Sequence, residues 1–222
     1  MALIIHIDTA STIASVTIAR DGKILHQRQN VVLNEHAAFV QPAIKEMIQQ
    51  LALPISAVDA IAVVDGPGSY TGLRVGMASA KGLAFAINKP LITIGTLPLM
   101  AAAAITHTGD QNLFYAPMID ARRQEVFTAI YNASLNVILE PCAMLLDKSS
   151  FSTTLAINRT LFFGTGASKW KLLCEHPNAL YSDDYLPLEA MAKMSYDAFC
   201  RQDFAELAYS EPQYLKEFYS GN

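Results

Sequence analysis

The sequence predicts an α/β protein of two halves, each a β-β-β-α-β-α unit, and three observations carry that prediction. Three strand-like runs, at residues 3–7, 13–19 and 24–32, open the chain before any helical periodicity appears. The segment GPGSYTGLRVG at 66–76 then joins an apolar strand to a helix within eleven residues. The second half repeats the order in reduced form, around an Asp120-Ala121-Arg122-Arg123 turn and a second glycine turn, Gly164-Thr165-Gly166. On this reading the halves are domains 1–104 and 105–222, the first carrying the longer helices.

Each element has its own warrant. The second and third runs are joined by Arg20-Asp21-Gly22-Lys23, whose Asp-Gly is a strong hairpin signal. A helix is expected from Asn34, a side chain suited to cap a helix N-terminus, with Glu35 just inside. Val40, Ile44, Met47, Ile48 and Leu51 would share its apolar face. IAVV at 61–64 reads as a short buried strand, Asp65-Gly66-Pro67-Gly68 as turn residues, and an apolar 3.6-residue period runs from 73 to 87. A strand at 91–94 and an Ala-rich helix from Thr96 complete the first half. In the second, 113–119, 125–131 and 160–163 read as strands, and 167–173 and 189–200 as helices.

Composition excludes several classes. Of 222 residues, 52% are apolar and only 16% charged, an apolar excess that points to a covered surface. Sixteen basic against twenty acidic residues give a net charge of −4, and no Lys/Arg cluster forms a stripe able to track phosphates. This argues against tight unaided binding of nucleic acid. MALIIHID lacks a basic leader region, the longest apolar helix is interrupted by Arg74 and Lys81, and 97–105 is too short to span a bilayer. A cytoplasmic protein with no membrane partner is expected. Cys142, Cys174 and Cys200, odd in number and far apart, fit reduced thiols better than a disulfide framework.

The glycine-rich junction lets backbone approach something closely. That is either a phosphate on the N–H groups of the helix N-terminus or another packed element. The spacing is not that of a Walker loop, since no Lys follows Gly72, nor that of G-x-S-x-G, and Ser69 has no base in Tyr70 or Thr71. His6, His26, His36, His107 and His176 are scattered, without an i,i+4 pair, so no metal site is expected. Asp183-Asp184 is the sole adjacent carboxylate pair and reads as a surface turn.

Helix 73–87 is apolar or small nearly all round, so it must be covered on more than one side. Its stripe Gly72, Gly76, Ala80 and Ala84, spaced by four, is expected to face a second helix, with Val75, Ser79 and Ala86 against the sheet. Internal packing on both sides is the alternative. The preceding helix is expected to present His36, Phe39 and Ala43 on a wet face.

Three antiparallel strands followed by alternating helix and strand, written twice, is the order of the duplicated actin-like (ASKHA, ribonuclease H-like) architecture. The strings HIDTAS at the start, NEHAAFVQPAI at 34–44, VVDGPGSYTGLRVGMASAKGLA at 63–84 and MIDARRQEVF at 118–127 resemble the TsaB (YeaZ) family. The likeness covers most of the chain and is densest in the first 130 residues.

That resemblance implies a non-catalytic subunit in bacterial synthesis of threonylcarbamoyladenosine beside the tRNA anticodon. Its implied partners are TsaD, the paralogue that transfers the threonylcarbamoyl group, and the small ATPase TsaE, with tRNA met only within the complex. A homodimer would form when TsaD is absent. The implied interface is His36, Phe39 and Ala43 with Gly72, Leu73, Gly76, Met77, Ala80 and Ala84. In that superfamily the first hairpin of each half reaches the nucleotide phosphates; the resemblance implies that Asp8, Thr9 and Ser11 in the first half and the Asp120 turn in the second match those loops, with a glycine turn at 164–168 nearby. No cofactor is expected to be held tightly, and ATP or ADP is left open for the assembled complex. TsaD-type enzymes carry an H-x-x-x-H metal pair after the strand matching 91–94, where this chain has Gly95-Thr96-Leu97-Pro98-Leu99-Met100. The competing readings are an ATP-dependent small-molecule kinase and a peptidase-like protein. Arg122 and Arg123 can contact phosphate, but on a tight hairpin they are expected to pin the turn and reach nearby carboxylates.

Overall fold

The computed structural model describes residues 1–32, 35–183 and 185–216. Its elements run β1 (Leu3–Asp8), β2 (Ala14–Arg20), β3 (Lys23–Asn30), α1 (His36–Gln50), β4 (Ala60–Gly66), α2 (Tyr70–Ile87), β5 (Leu91–Gly95) and α3 (Thr96–Thr108). They continue with β6 (Phe114–Asp120), β7 (Glu125–Tyr131), β8 (Val137–Leu145), α4 (Ser152–Ile157), β9 (Thr160–Phe163), α5 (Ala167–Lys171), β10 (Ala179–Tyr181) and α6 (Leu188–Arg201). Two five-stranded sheets result, ordered β3-β2-β1-β4-β5 and β10-β9-β6-β7-β8, the same topology read from opposite edges. The duplicated actin-like α/β fold is therefore present. Asn34, expected to cap α1, and Asp184 lie outside the described residues.

The chain divides into two units, but not at 104/105. Unit 1 comprises Met1–Thr96 and Leu188–Gln213, and unit 2 comprises Leu97–Pro187 and Tyr214–Asn222. Helix α3 goes with unit 2 because Leu97, Met100, Ala101 and Ala104 pack on Tyr115, Leu161 and Phe163. Helix α6 returns to unit 1, where His6 on β1 meets it. Thr17 O, an acceptor only, fixes the proton on His6 Nδ1 (3.1 Å), so Nε2 accepts from Ser195 Oγ on α6 at 2.7 Å. Both side chains are buried, and burial lowers the His6 pKa to about 4, leaving a neutral imidazole.

In unit 1, β1 and β4 are parallel and buried on both faces, so they read as continuous apolar runs rather than alternating ones. Ile5, Ile7, Ile61 and Val63 meet Val40, Ile44 and Met47 of α1 and Met77, Ala80 and Ala84 of α2 in one core. Full burial of a residue such as Met77 contributes roughly 1.5–3 kcal/mol. In unit 2 the strands serve two cores: Tyr115 and Phe163 point to the α3 side, while Ala116 and Phe162 point to a cluster with Phe151 and Trp170. Strand β8 and helix α4 were not expected from sequence. Pro141 interrupts the β8 pattern, and β8 is an edge strand, where a missing N–H is tolerated.

Candidate functional site

Two loops at matching places in the two sheets bear on function: the β1–β2 turn of unit 1 and the β6–β7 turn of unit 2. In unit 1 the turn is packed shut by the glycine-rich start of α2. Ser69 N donates to Ala10 O at 2.7 Å, and Thr9 Oγ1 donates to Gly72 O at 2.7 Å. Ser69 Oγ also caps α2 by accepting from Gly72 N. Of the three residues matched to a phosphate loop, Thr9 is fully buried with its hydroxyl donated to Gly72 O. Asp8 Oδ1 accepts from Ala10 N at 2.9 Å. Burial raises the Asp8 pKa to about 6, against that hydrogen bond and the nearby His36. Only Ser11 is exposed, and its hydroxyl donates to Ile13 O.

The same contacts overturn the expected facing of α2. Gly72, Leu73, Gly76, Met77, Ala80 and Ala84 are all buried within unit 1. A Cβ at Gly72 would collide with Thr9 O, and one at Gly76 with Thr9 Oγ1. The four-residue stripe is therefore the close-approach face toward β1 and β4, not toward a partner, and Val75 and Ser79 lie only partly buried at its flank. Periodicity identified the stripe but could not choose its side, because small residues suit a sheet and a helix equally. On α1, Ala43 is buried, Phe39 packs against the same core, and His36 Nε2 lies 3.0 Å from Ser11 O, so these three are not a free wet face either.

What α2 leaves exposed is a different row: Arg74, Ala78, Gly82, Phe85 and Ala86. Phe85 is 79% exposed, and a Cβ at Gly82 would meet nothing within 4 Å. The Arg74 guanidinium lies over the Tyr70 ring at 4.0 Å, and Lys81 turns away to donate to Ala208 O and Ser210 O. The row carries no carboxylate. Beside it, α1 exposes Ala37, Ala38, Gln41 and Pro42. Small residues permit close approach of another backbone, and the lone large aromatic supplies most of the apolar area.

The C-terminal segment is laid against unit 1. Ala205 N donates to Leu91 O at 2.8 Å, extending the β5 edge. Gln213 N donates to Asp65 O at 2.7 Å and its Nε2 to Asp65 Oδ2 at 3.0 Å. Gly66, with φ +130°, has Gln213 O where a side chain would begin, so only glycine fits there. Burial pushes the Asp65 pKa up to about 6, against hydrogen bonds from its own backbone, Thr93 and Gln213.

In unit 2 the corresponding turn is open. Arg122 and Arg123 are exposed and adopt φ of +68° and +48°, successive left-handed residues that carry side chains. Each costs about 1–2 kcal/mol relative to a right-handed conformation. The turn is braced: Arg122 N donates to Asp120 Oδ1 (2.6 Å), Asp120 N donates to Thr165 Oγ1 (3.0 Å), and Gly166 N donates to Met118 O (2.9 Å). The expectation that the arginines reach nearby carboxylates fails. Lys169 Nζ takes Asp120 and holds its pKa below the usual carboxylate range, and Lys216 Nζ takes Glu125 Oε2 at 2.6 Å.

No three His, Cys, Asp or Glu side chains among the described residues converge as metal ligands, and no helix among them is long and apolar enough to cross a membrane. At the start of α3, Leu97 and Leu99 are buried apolar residues.

Residues 26–174 match the family model described as TsaD: tRNA N6-adenosine threonylcarbamoyltransferase. A relative from Escherichia coli described as tRNA threonylcarbamoyladenosine biosynthesis protein TsaB is 28% identical over 96% of this chain and 94% of its own. The protein of the same description from Haemophilus influenzae is 37% identical over 54% of this chain and 50% of its own. The solved structure of YeaZ from Pseudomonas aeruginosa superposes with a TM-score of 0.79 and 26% identity, covering 97% of this chain and all of that one. With the family model spanning most of the chain and relatives that agree in both sequence and fold, this chain belongs to the TsaD family, among its TsaB (YeaZ) members.

Proposed function

We propose that this chain acts in the synthesis of threonylcarbamoyladenosine in tRNA, as a non-catalytic subunit that pairs with TsaD, with TsaE joining the assembly. The observation that carries the reading is the outward row of α2. Ala78, Gly82 and Phe85 form a small, uncharged, exposed face on an otherwise well-packed unit, shaped to take a partner helix at short range. A paralogue with the same topology would offer an equivalent helix, and a second copy of this chain would do so when TsaD is absent.

The residue types support the absence of chemistry in this chain. Leucines fill the α3 start where TsaD-type enzymes place histidines, and the β1–β2 turn has its polar groups bonded internally. Activity of the assembly then rests on TsaD, which this chain would hold in a competent conformation. ATP or ADP would bind in the assembled complex rather than to this chain alone.

Reconstitution of tRNA modification from purified components, with and without this chain, tests the reading. The expected result is no turnover by this chain alone and strong dependence of TsaD turnover on its presence. Equal modification without it, or threonylcarbamoyl transfer by the isolated chain, would overturn the proposal.

A further inference from the structure

We propose that the β6–β7 turn of unit 2 is a phosphodiester-binding element that meets the RNA backbone of the tRNA substrate through Arg122 and Arg123. Naming that RNA rests on the function proposed above.

The two carboxylates of the turn, Asp120 and Glu125, are each neutralised by a lysine, Lys169 and Lys216. Both guanidiniums are left uncompensated, and neither has an ion-pair partner among the described residues. Gln124 O accepts from Leu146 N, which brings the neighbouring turn alongside; there the exposed Lys148 and an Asp147 held ionised by hydrogen bonds from Ser149 and Ser150 offset each other, so the surplus positive charge is that of the two arginines. A local cationic surface thus stands on a chain of net charge −4.

The backbone gives an independent reason. Asn and Gly are the residues that occupy successive left-handed positions at low cost. Two arginines there are strained, and the surrounding hydrogen bonds hold the turn in place rather than relax it. Strain of this kind marks a position kept for what its side chains touch. Guanidinium groups match phosphate oxygens bidentately. Both arginines are exposed, which suits an extended sugar-phosphate backbone better than a nucleotide that needs a pocket for its base.

The test uses the full chain alone, in low salt, with fluorescein-labelled unmodified tRNA and, separately, labelled ATP. The wild-type chain is expected to bind tRNA weakly at about 20 mM salt. Arg122→Gln/Arg123→Gln should weaken it about tenfold and reduce the slope of log affinity against log salt by about 1.4–1.8. Arg122→Asn/Arg123→Gly, which suits the backbone, should fold at least as stably and lose binding to the same degree. Lys23→Gln/Lys45→Gln, an equal charge change in unit 1, should shift affinity less than twofold. No tRNA binding by the wild type, equal loss in the unit 1 control, unchanged binding in both turn variants, or an effect on ATP rather than tRNA would each overturn the proposal. A failed pull-down with TsaD would count against the subunit reading and leave these outcomes untouched.

Discussion

The two sheets share one topology, and they have treated the same loop in opposite ways. In unit 1 Thr9 and Ala10, which begin the turn after the first strand, are buried against an eighteen-residue helix, with the Thr9 hydroxyl and the Asp8 carboxylate bonded within the unit. In unit 2 the matching turn is open, and the helix after the glycine turn, α5, has only five residues. A long helix rich in small residues packs on the first loop and presents Ala78, Gly82 and Phe85 outward, beside Arg74. A short one leaves the second loop exposed, with surplus positive charge. One architecture thus yields a half with a closed turn and a half with an open cationic one, and helix length and residue size distinguish them.

The sharpest way to break that contrast is to prise the closed loop open. Leu at Gly76 must displace Thr9 Oγ1, and Leu at Ala80 must enter a fully buried site, each costing about 3 kcal/mol or more. Chemical denaturation should show both variants strongly destabilised, whereas Gly82→Ala, in open space on the same helix, should gain about 0.5–1 kcal/mol.

Acid titration probes how α6 is held on unit 1. The folded pKa of His6 is about 4 against 6.5 unfolded, so the unfolded chain binds the extra proton between these values. Stability from this site is present above pH 6.5 and falls by about 3 kcal/mol toward pH 4. In His6→Gln that fall should be absent from the stability–pH curve.

Asp8 and Asp65 run with the opposite sign. Their folded pKa values of about 6 exceed the 3.8 of an ordinary aspartate, so the folded chain holds the extra proton and stability is lost as pH rises through 6. Asp65→Asn, which keeps an acceptor for Gln213, should be more stable than wild type at pH 8 by up to about 3 kcal/mol and equal to it near pH 3. An unchanged difference across that range would show that burial does not set this pKa.

The smallest expected effect concerns the open turn. Arg122→Asn/Arg123→Gly should raise stability by about 1 kcal/mol, since the backbone conformation suits the new residues. A loss of stability would mean that the arginine side chains hold the turn after all.

Strong local signals made most of this fold legible. Asp21-Gly22 announced the β2–β3 hairpin, the apolar run at 61–64 a buried strand, and the 3.6-residue period from 73 to 87 the long helix, whose cap at Ser69 the structure added. Strand β8 escaped because Pro141 breaks its pattern at an edge, and α6 was assigned to the wrong half because amphipathicity says nothing about which sheet a helix covers. The site was legible in the same uneven way. Small residues at four-residue spacing located close packing on α2, but the partner was the chain's own Thr9. The outward row escaped notice because Ala78, Gly82 and Phe85 look unremarkable until burial assigns the other side. Nor does sequence show that Lys169 and Lys216, far along the chain, neutralise the carboxylates that the arginines were expected to meet.

On the proposed function, the Ala78–Gly82–Phe85 row of unit 1, not the glycine stripe, meets TsaD. This is tested most directly by titrating TsaD with Ala78→Glu and Gly82→Arg by calorimetry, beside thermal melts of each variant. The expected result is at least a hundredfold loss of affinity, about 2.7 kcal/mol, with melting within about two degrees of wild type. Wild-type affinity in both variants would contradict the account and place the partner surface elsewhere.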